Sequence, residues 1–594
     1  MFLNPEPCTL NPEPWTLYPV PCTLNPDLHM PTIDIKKRDL DSLIGKKLSL
    51  EALEKRLMLA KAELKEYNAE TDDLKVELSD SNRPDLWSAE GIARQIRMAI
   101  SGKPEALPYF KHGRKATREI RVAKGMQSVR PFLAACTASG IRMNSDVLAQ
   151  MIQSQDKLAE IFGRKRSTIS IGIYELDKIT FPVDYRLAEP SSVSFTPLGM
   201  DRKLTLAEIL EQHPKGIAYG GIVKPFSAYP VLTDRLGRVL SFPPIINSTE
   251  IGEVKPTTRS VLIEVTGTDL RMTVLTLNIL AASFYDRGAD IEPVKVTYPY
   301  ATDFGKSVSF PCDTSTKMTV PLATFSAGLG EEVSQADVKK YLSAYGHRVV
   351  AARGAVTVIA PPYRDDIMHP VDLVEDYAIS RGYDSFVPVM PKESTVGSLS
   401  RIELLSDTVR STMVGAGFQE IMSNILCSRE ELEDTLAQDE QLVEIANPMS
   451  LAYSVLRNGV IPSLLTVETT SSKAFYPHRI FEVGEVAVLD PGQNMGTRTD
   501  LNLAALVSHA NANFSETHSF LDILLYYLGI EYKLEPAGHP LFMQGRCGKV
   551  ITAGADLGFI GELRPEVLER RQISMPCAAF EVNLNRILAL MGKK

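Results

Sequence analysis

Four carboxylates crowd one short stretch of this chain: Asp366, Asp372, Glu375 and Asp376. Asp366 follows a predicted strand, Val356 to Ala360. The other three fall at i, i+3 and i+4 in the first turns of a predicted helix, Val371 to Ser380, and so share a face. Oxygen ligands grouped in this way suit Mg²⁺, a hard cation that keeps several waters and takes only a few carboxylates. Acids in a first helical turn also complement the helix macrodipole without any metal. Pro370 supports the helix start and is silent on the ion, so the spacing leaves both readings open.

A second constellation lies in the predicted strand Val261 to Thr266. Period two places Leu262, Glu264 and Thr266 on one face, so a carboxylate and a hydroxyl project together from an otherwise apolar segment. A buried carboxylate needs a partner, and a ligand hydroxyl or amine could supply it; an exposed strand face is the competing explanation. Other catalytic signatures are missing: there is no G-x-x-x-x-G-K-[ST], no G-x-S-x-G and no H-E-x-x-H. Among the 9 histidines, His213, His347 and His478 read as packing or surface residues.

The elements that must position these groups belong to a long, ordinary soluble chain. With 594 residues, 44% hydrophobic and 23% charged, it has length for roughly four domains. A net charge of -9 argues against indiscriminate nucleic-acid binding and makes any RNA contact regional. The densest basic run, Lys111 to Lys124, and the cluster Arg164, Lys165 and Arg166 read equally as solvated faces. The 7 cysteines lie apart, with no C-x-x-C, which fits a reducing compartment and no structural zinc. The most apolar stretch, Met272 to Phe284, is too short to span a bilayer.

Residues 1–29 repeat NPEPCTL-like units rich in proline, which forbids helix and leaves extended chain outside the fold, without the charge pattern of a signal peptide. Folding is expected to start near Met30 with a strand. A helical face follows over Leu50, Leu53, Leu57, Ala60 and Leu64, then a strand at Lys75 to Leu78 and a helix at Glu90 to Met98. Strands are expected at Ser167 to Ile173, Gly216 to Val223, Arg238 to Phe242 and Val261 to Thr266, with a helix from Arg271 to Arg287. The last 200 residues or so open with a helix, Arg401 to Gly415, and run through strands at Arg479 to Val488, Leu501 to Ser508 and Leu584 to Leu588. The class is α+β and multidomain, with a mixed α/β centre and a C-terminal antiparallel sheet.

Several phrases, in this order and spacing, resemble the β subunit of phenylalanine–tRNA ligase of the archaeal and eukaryotic cytosolic type. They include Ser81-Asn82-Arg83-Pro84-Asp85-Leu86 with Glu90-Gly91-Ile92-Ala93-Arg94, Leu240-Ser241-Phe242-Pro243-Pro244, Glu264-Val265-Thr266-Gly267-Thr268-Asp269, Asp372-Leu373-Val374-Glu375-Asp376, Ala446-Asn447-Pro448-Met449-Ser450 and Phe481-Glu482-Val483-Gly484. The resemblance runs from about Met30 to the C-terminus.

It implies a cytoplasmic α2β2 heterotetramer that uses ATP to join phenylalanine to tRNA(Phe), with the aminoacylation centre in the partner α subunit and no membrane association. It implies an N-terminal α+β domain over 30–118 and an editing domain over 119–297. A small Mg²⁺-bearing, winged-helix-like domain would follow over 298–391, then a class II synthetase-like module over 392–594. The Mg²⁺ ligands would be Asp366, Asp372, Glu375 and Asp376. The editing pocket, which hydrolyses tyrosine mischarged onto tRNA(Phe), would hold Leu232, Ser241, Glu264 and Thr266, with Glu264 reading the para hydroxyl. In the last module Phe580-Glu581-Val582-Asn583-Leu584 stands where an ATP-site G-x-G-x-x-R is expected, so scaffold and interface are its implied roles. Arg564 stands before Pro565 where the family carries histidine. The bacterial oligonucleotide-binding insertion and C-terminal anticodon-binding domain are expected to be absent. Two other readings compete: a non-catalytic tRNA-binding or assembly scaffold with an inactive pocket, and a free-standing Mg²⁺-dependent hydrolase.

Overall fold

The computed structural model describes residues 31–79, 82–110, 115–432, 441–471 and 473–591; the proline-rich repeat, Lys111 and Arg114 lie outside them. The described residues divide into two compact units, one ending at Val389 and one beginning at Met390.

The first unit opens with strands β1 (Thr32–Lys36), β2 (Ala62–Asn68) and β3 (Asp73–Leu78), in the order β1-β3-β2. The helical face predicted through Leu64 stops earlier. The helix covers Leu50–Leu57, a 3-10 turn Met58–Ala60 follows, and Lys61 turns left-handed at φ 48°, so Leu64 falls on β2. Ser49 and Ser88 cap the helices Leu50–Leu57 and Ala89–Ser101 by accepting from Ala52 N–H and Gly91 N–H. Gly91 has no alternative, because a Cβ there would overlap the Asp85 carbonyl oxygen. The phrase around it builds structure: Arg83 grips Asp85 through two bonds of 2.8 Å, and Arg94 donates to Asp286 at 2.8 Å while stacking on Tyr363. All four charged side chains are almost fully buried, so each is tolerable only with its partner.

The centre of this unit is a ten-stranded sheet. Its strands come from β4 (Arg118–Val122), β5 (Phe132–Ser139), β6 (Ile169–Glu175), β7 (Val183–Ala188), β10 (Tyr229–Thr233), β11 (Val239–Phe242), β12 (Ile246–Asn247), β13 (Ser260–Gly267), β14 (Asp290–Thr297) and β15 (Ser307–Phe310). β8 (Ser194–Phe195) and β9 (Leu204–Thr205) pair separately. The order is β12-β11-β10-β7-β4-β14-β5-β13-β6, with β15 added to β14. The helix Leu270–Asp286, capped by Asp269 and buried on most of its surface, packs on β5 and β13. Gly216 to Val223 is not the predicted strand but a helix, Pro214–Tyr219, and a 3-10 turn. His213 caps it and Pro214 sets its first turn.

Three further strands, β16 (Lys317–Pro321), β17 (Arg348–Ala352) and β18 (Ala355–Ile359), pair in the order β16-β18-β17. The helices Leu322–Leu329, Gln335–Ala344 and Pro370–Arg381 close a separate core around Phe325, Val338, Leu342, Val356 and Leu373.

The second unit carries β19 (Gln419–Glu420), the pair β20 (Leu426–Cys427) and β21 (Val455–Leu456), and β22 (His478–Leu489), β23 (Thr497–Ser508), β24 (Lys533–Pro536), β25 (Phe542–Thr552), β26 (Ala555–Leu563) and β27 (Cys577–Asn583). Its main sheet runs β19-β22-β23-β27-β26-β25-β24, antiparallel except where β19 lies parallel to β22. Residues Leu584 to Leu588, predicted as strand, begin the helix Leu584–Met591; Asn583 Oδ1 accepts from Arg586 N–H at 2.8 Å, and the strand ends there. No helix among the described residues is long and apolar enough to cross a membrane.

Candidate functional site

β13 lies between β5 and β6, with Glu264 opposite Ala135 on one side and Gly172 on the other. This central placement decides the competing readings of the strand face: Glu264 is 1% exposed and Thr266 0%. The sheet also rolls. Tyr174, near the end of β6, donates its hydroxyl to Glu264 Oε2 at 2.7 Å and sits 2.8 Å from Ser241 Oγ on β11, close to the opposite edge in strand order. A single phenolic proton serves one acceptor, and the carboxylate is the stronger, so Ser241 completes the chain by donating to Tyr174.

The cavity beside these groups has a volume of about 200 Å³ and is walled by Ser170, Gly172, Tyr174, Ser241, Ile245 and Glu264, among others. Leu232 is opposite Ser241 in the β10–β11 register and fully buried, behind the wall. Thr266 also stands behind it, its Oγ1 bonded to Ser170 Oγ at 2.9 Å and to Arg130 Nε at 3.1 Å. The structure therefore brings Ser241 and Glu264 to the cavity surface and gives Leu232 and Thr266 supporting positions.

Desolvation pushes the Glu264 carboxyl up to about 7, against the opposing pull of the Tyr174 bond, the Arg130 charge and Thr266. Its second oxygen, Oε1, is buried and makes no hydrogen bond among the described residues. A buried acceptor left open beside a cavity is a vacancy for a donor. Arg130, brought down to about 10 by its own desolvation, supplies positive potential from behind.

Gly172, Tyr174, Ser170 and Arg130 escaped sequence reasoning. Period two puts Ser170, Gly172 and Tyr174 on one face of β6, but nothing local pairs that face with β13, some ninety positions away. Gly172 is required by close approach: a Cβ would overlap both the Tyr174 hydroxyl and Glu264 Oε2. Gly172→Ala should cost about 1–3 kcal/mol of stability by overpacking. Chemical denaturation checks this, and an unchanged midpoint would contradict the close approach.

The acidic cluster is arranged differently from a cage. Asp366 accepts from Arg364 Nε at 2.9 Å and Nη2 at 2.5 Å, and Asp376 accepts from Arg364 Nη1 at 2.8 Å and from His347 Nε2 at 2.6 Å. Burial would raise both carboxyls, but the Arg364 charge outweighs it and holds both below their usual range. Burial keeps His347 neutral-leaning, below its ordinary value despite Asp376. Asp372 caps the helix Pro370–Arg381, accepting from Met368 N–H and His369 N–H at 2.7 and 2.6 Å, and Glu375 pairs with Lys61 at 3.0 Å. The donor chemistry suits Mg²⁺, but the arrangement does not fit it: no three His, Cys, Asp or Glu groups among the described residues are placed to hold one ion.

In the second unit the middle of β27 is also partnered internally. Glu581 is 4% exposed and accepts from Val460 N–H, Ile461 N–H and Asn502 Nδ2, filling the cleft side of the sheet with its own carboxylate. Arg564 is exposed, with Nε 3.4 Å from Glu566 and Nη1 3.4 Å from the Pro540 carbonyl. His213, His347 and His478 are each buried with partners, His478 against Glu468 at 2.9 Å.

The several sheets of this α/β chain and the cavity floored by Glu264 have their counterpart in the comparisons, which fall among the aminoacyl-tRNA synthetases. Residues 387–584 match the model described as phenylalanyl tRNA synthetase beta chain CLM domain, and residues 318–383 match the tRNA synthetase B5 domain. The chain belongs to the phenylalanine–tRNA ligase beta subunit family. It is 38% identical over 568 residues to the beta subunit of Borrelia hermsii, covering 94% of this chain and 100% of that one. With the beta subunit of Thermococcus kodakarensis it shares 39% over 573 residues, covering 93% and 98%. A crystal structure of an N-terminal fragment of the beta subunit from Pyrococcus horikoshii superposes with a TM-score of 0.56 at 38% identity, covering 59% of this chain and 100% of the fragment.

Proposed function

We propose that this chain is the β subunit of a cytoplasmic α2β2 phenylalanine–tRNA ligase, in which the α subunit attaches phenylalanine to tRNA(Phe) with ATP and this chain hydrolyses mischarged tyrosyl-tRNA(Phe). The observation that carries the editing reading is the open Oε1 of buried Glu264 at a cavity sized for one aromatic side chain. Tyrosine brings a hydroxyl proton to that oxygen. Phenylalanine brings none and leaves the buried acceptor unpaired, which a hydrogen-bonding site penalises far more heavily than a hydrophobic pocket penalises an extra hydroxyl. No side chain on the wall is arranged as a nucleophile, so a water held in the cavity, assisted by the terminal ribose, is the proposed attacking group.

The domain reading continues as a proposal: an N-terminal domain over 30–118, editing over 119–297, a small winged-helix-like domain over 298–391 and a class II synthetase-like module over 392–594. The mostly antiparallel sheet of the second unit, with one parallel edge strand, supports the last of these. Glu581 filling its cleft supports scaffold duty over ATP chemistry. The Mg²⁺ part of the reading has no support in this arrangement: Asp366 and Asp376 are held by Arg364, Asp372 accepts from Met368 N–H and His369 N–H, and Glu375 pairs with Lys61.

The test is hydrolysis by the purified complex with its α subunit. Tyrosyl-tRNA(Phe) should be deacylated at least about 100-fold faster than phenylalanyl-tRNA(Phe), as expected where an unpaired buried acceptor sets the penalty. Persistence of both esters would leave the scaffold reading in its place.

A further inference from the structure

The cavity has two ends of unlike character. Ser170, Tyr174, Ser241 and Glu264 form a floor that is at most 6% exposed. The rim carries Ile152, 49% exposed, the half-exposed side chain of Asp156, and exposed Lys215. Lys215 lies in the first turn of the short helix Pro214–Tyr219, where its own N–H donates to His213 Nδ1 at 3.1 Å. Its ammonium makes no hydrogen bond or ion pair among the described residues.

The neighbouring rim cation is fully committed. Arg166 Nη1 donates to the Ile245 and Pro244 carbonyls at 3.1 and 3.4 Å, Nε to Glu160 at 3.3 Å, and the guanidinium stacks 4.5 Å above Tyr219. The backbone holds it there at a cost. Arg164, Lys165 and Arg166 take left-handed φ values of 50°, 52° and 66°, a region that costs non-glycine residues ~1–2 kcal/mol each. Arg166 therefore braces the wall, and Lys215 is left as the free charge. Partial desolvation, with the Arg166 charge behind it, holds the Lys215 pKa below the ordinary lysine value against the opposing pull of the Asp156 and Glu160 charges, neither of which is within ion-pair distance.

We propose that Lys215 is the seat for a backbone phosphate at the 3′ end of the RNA whose terminal acyl group reaches the Glu264 floor; this rests on the editing reading above. A cavity of about 200 Å³ takes the acyl side chain and leaves the nucleotide outside, so the nearest phosphate falls at the rim. Such a contact positions the strand without reading its sequence.

The experiment titrates a fluorescent RNA ending in a single-stranded 3′ tail against the full chain, wild type, Lys215→Ala and Lys215→Arg. Lys215→Ala should weaken binding about 3- to 10-fold and flatten the log–log salt dependence by about 0.7, one phosphate's worth, while Lys215→Arg retains both. Unchanged affinity and slope in Lys215→Ala overturn the proposal. In a second arm the complex hydrolyses tyrosyl-tRNA(Phe) and the tyrosyl ester of adenosine, which carries the acyl group without a phosphate. Lys215→Ala should raise KM on the tRNA alone; equal losses on both substrates also overturn the seat. Wild-type complex that hydrolyses neither, while the salt slope still depends on Lys215, discards editing and retains the phosphate seat.

Discussion

Glu264→Ala is expected to lower kcat/KM for tyrosyl-tRNA(Phe) hydrolysis by about 10- to 150-fold, the equivalent of ~1.5–3 kcal/mol for one charge-assisted hydrogen bond, with phenylalanylation by the complex unchanged. The loss follows from Oε1 being the open acceptor on the cavity wall. A variant that deacylates at the wild-type rate would remove Glu264 from the mechanism.

The same carboxyl gives this prediction a pH signature. Its folded value is raised from 4.5 to about 7, so its protonated form stabilises the fold fully below 4.5, and that contribution disappears as pH rises through 7. The ionised form, the better acceptor for a tyrosine hydroxyl, accumulates over the same interval. Tyrosyl-ester hydrolysis should therefore rise with pH around 7, a limb that Glu264→Gln flattens. Glu264→Gln should also gain stability over wild type by about 3 kcal/mol between pH 4.5 and pH 8, since each tenfold change in proton affinity is worth ~1.4 kcal/mol. Thermal melts at both pH values read the difference. The titratable groups facing Glu264 are Arg130, charged and behind it, and the phenols of Tyr174 and Tyr185, which stay protonated and neutral across this range because burial raises them well above 10.

Arg364→Met is expected to destabilise the first unit by about 3–5 kcal/mol, the cost of removing one partner from a buried ion network. Arg364 is 3% exposed and is the shared cation between Asp366 and Asp376; without it two buried carboxylates face each other beside neutral His347. Both acids are held below their ordinary 3.8, so the stability they contribute is present above that value and lost as pH falls through their depressed range. The penalty in Arg364→Met should accordingly shrink near pH 4, where the unpaired acids can take protons. Denaturation midpoints at pH 7 and pH 4 measure this; equal losses would place the effect in packing alone. Recovery of the midpoint with millimolar Mg²⁺ would show that the same carboxylates accept an ion once the guanidinium is gone.

Much of the architecture was legible because it is local. Capping residues, proline and apolar periodicity marked the helices Ala89–Ser101, Leu270–Asp286 and Arg401–Gly415, and the β-branched runs marked β13, β22 and β23. Failures came where a short signal was read through a boundary. Lys61 ends a helical face by turning left-handed, Pro214 starts a helix in a glycine-containing run that reads as strand, and Asn583 caps a helix where the apolar run seemed to continue a strand.

The residues by themselves determined the family, through phrases whose order and spacing extend along the chain, and they singled out Glu264 as a carboxylate on an apolar strand. Only the tertiary structure decided what that carboxylate is. Rolling of the sheet brings Tyr174 and Ser241 to it from distant strands, closes off one oxygen and leaves the other open, because strand pairing is set by the burial of whole faces. The same holds for the acids at Asp366 to Asp376: their spacing suits a metal, yet folding delivers Arg364 and His347 into their midst. A fully buried cation within bonding distance is the nearer partner for charges already taken out of water.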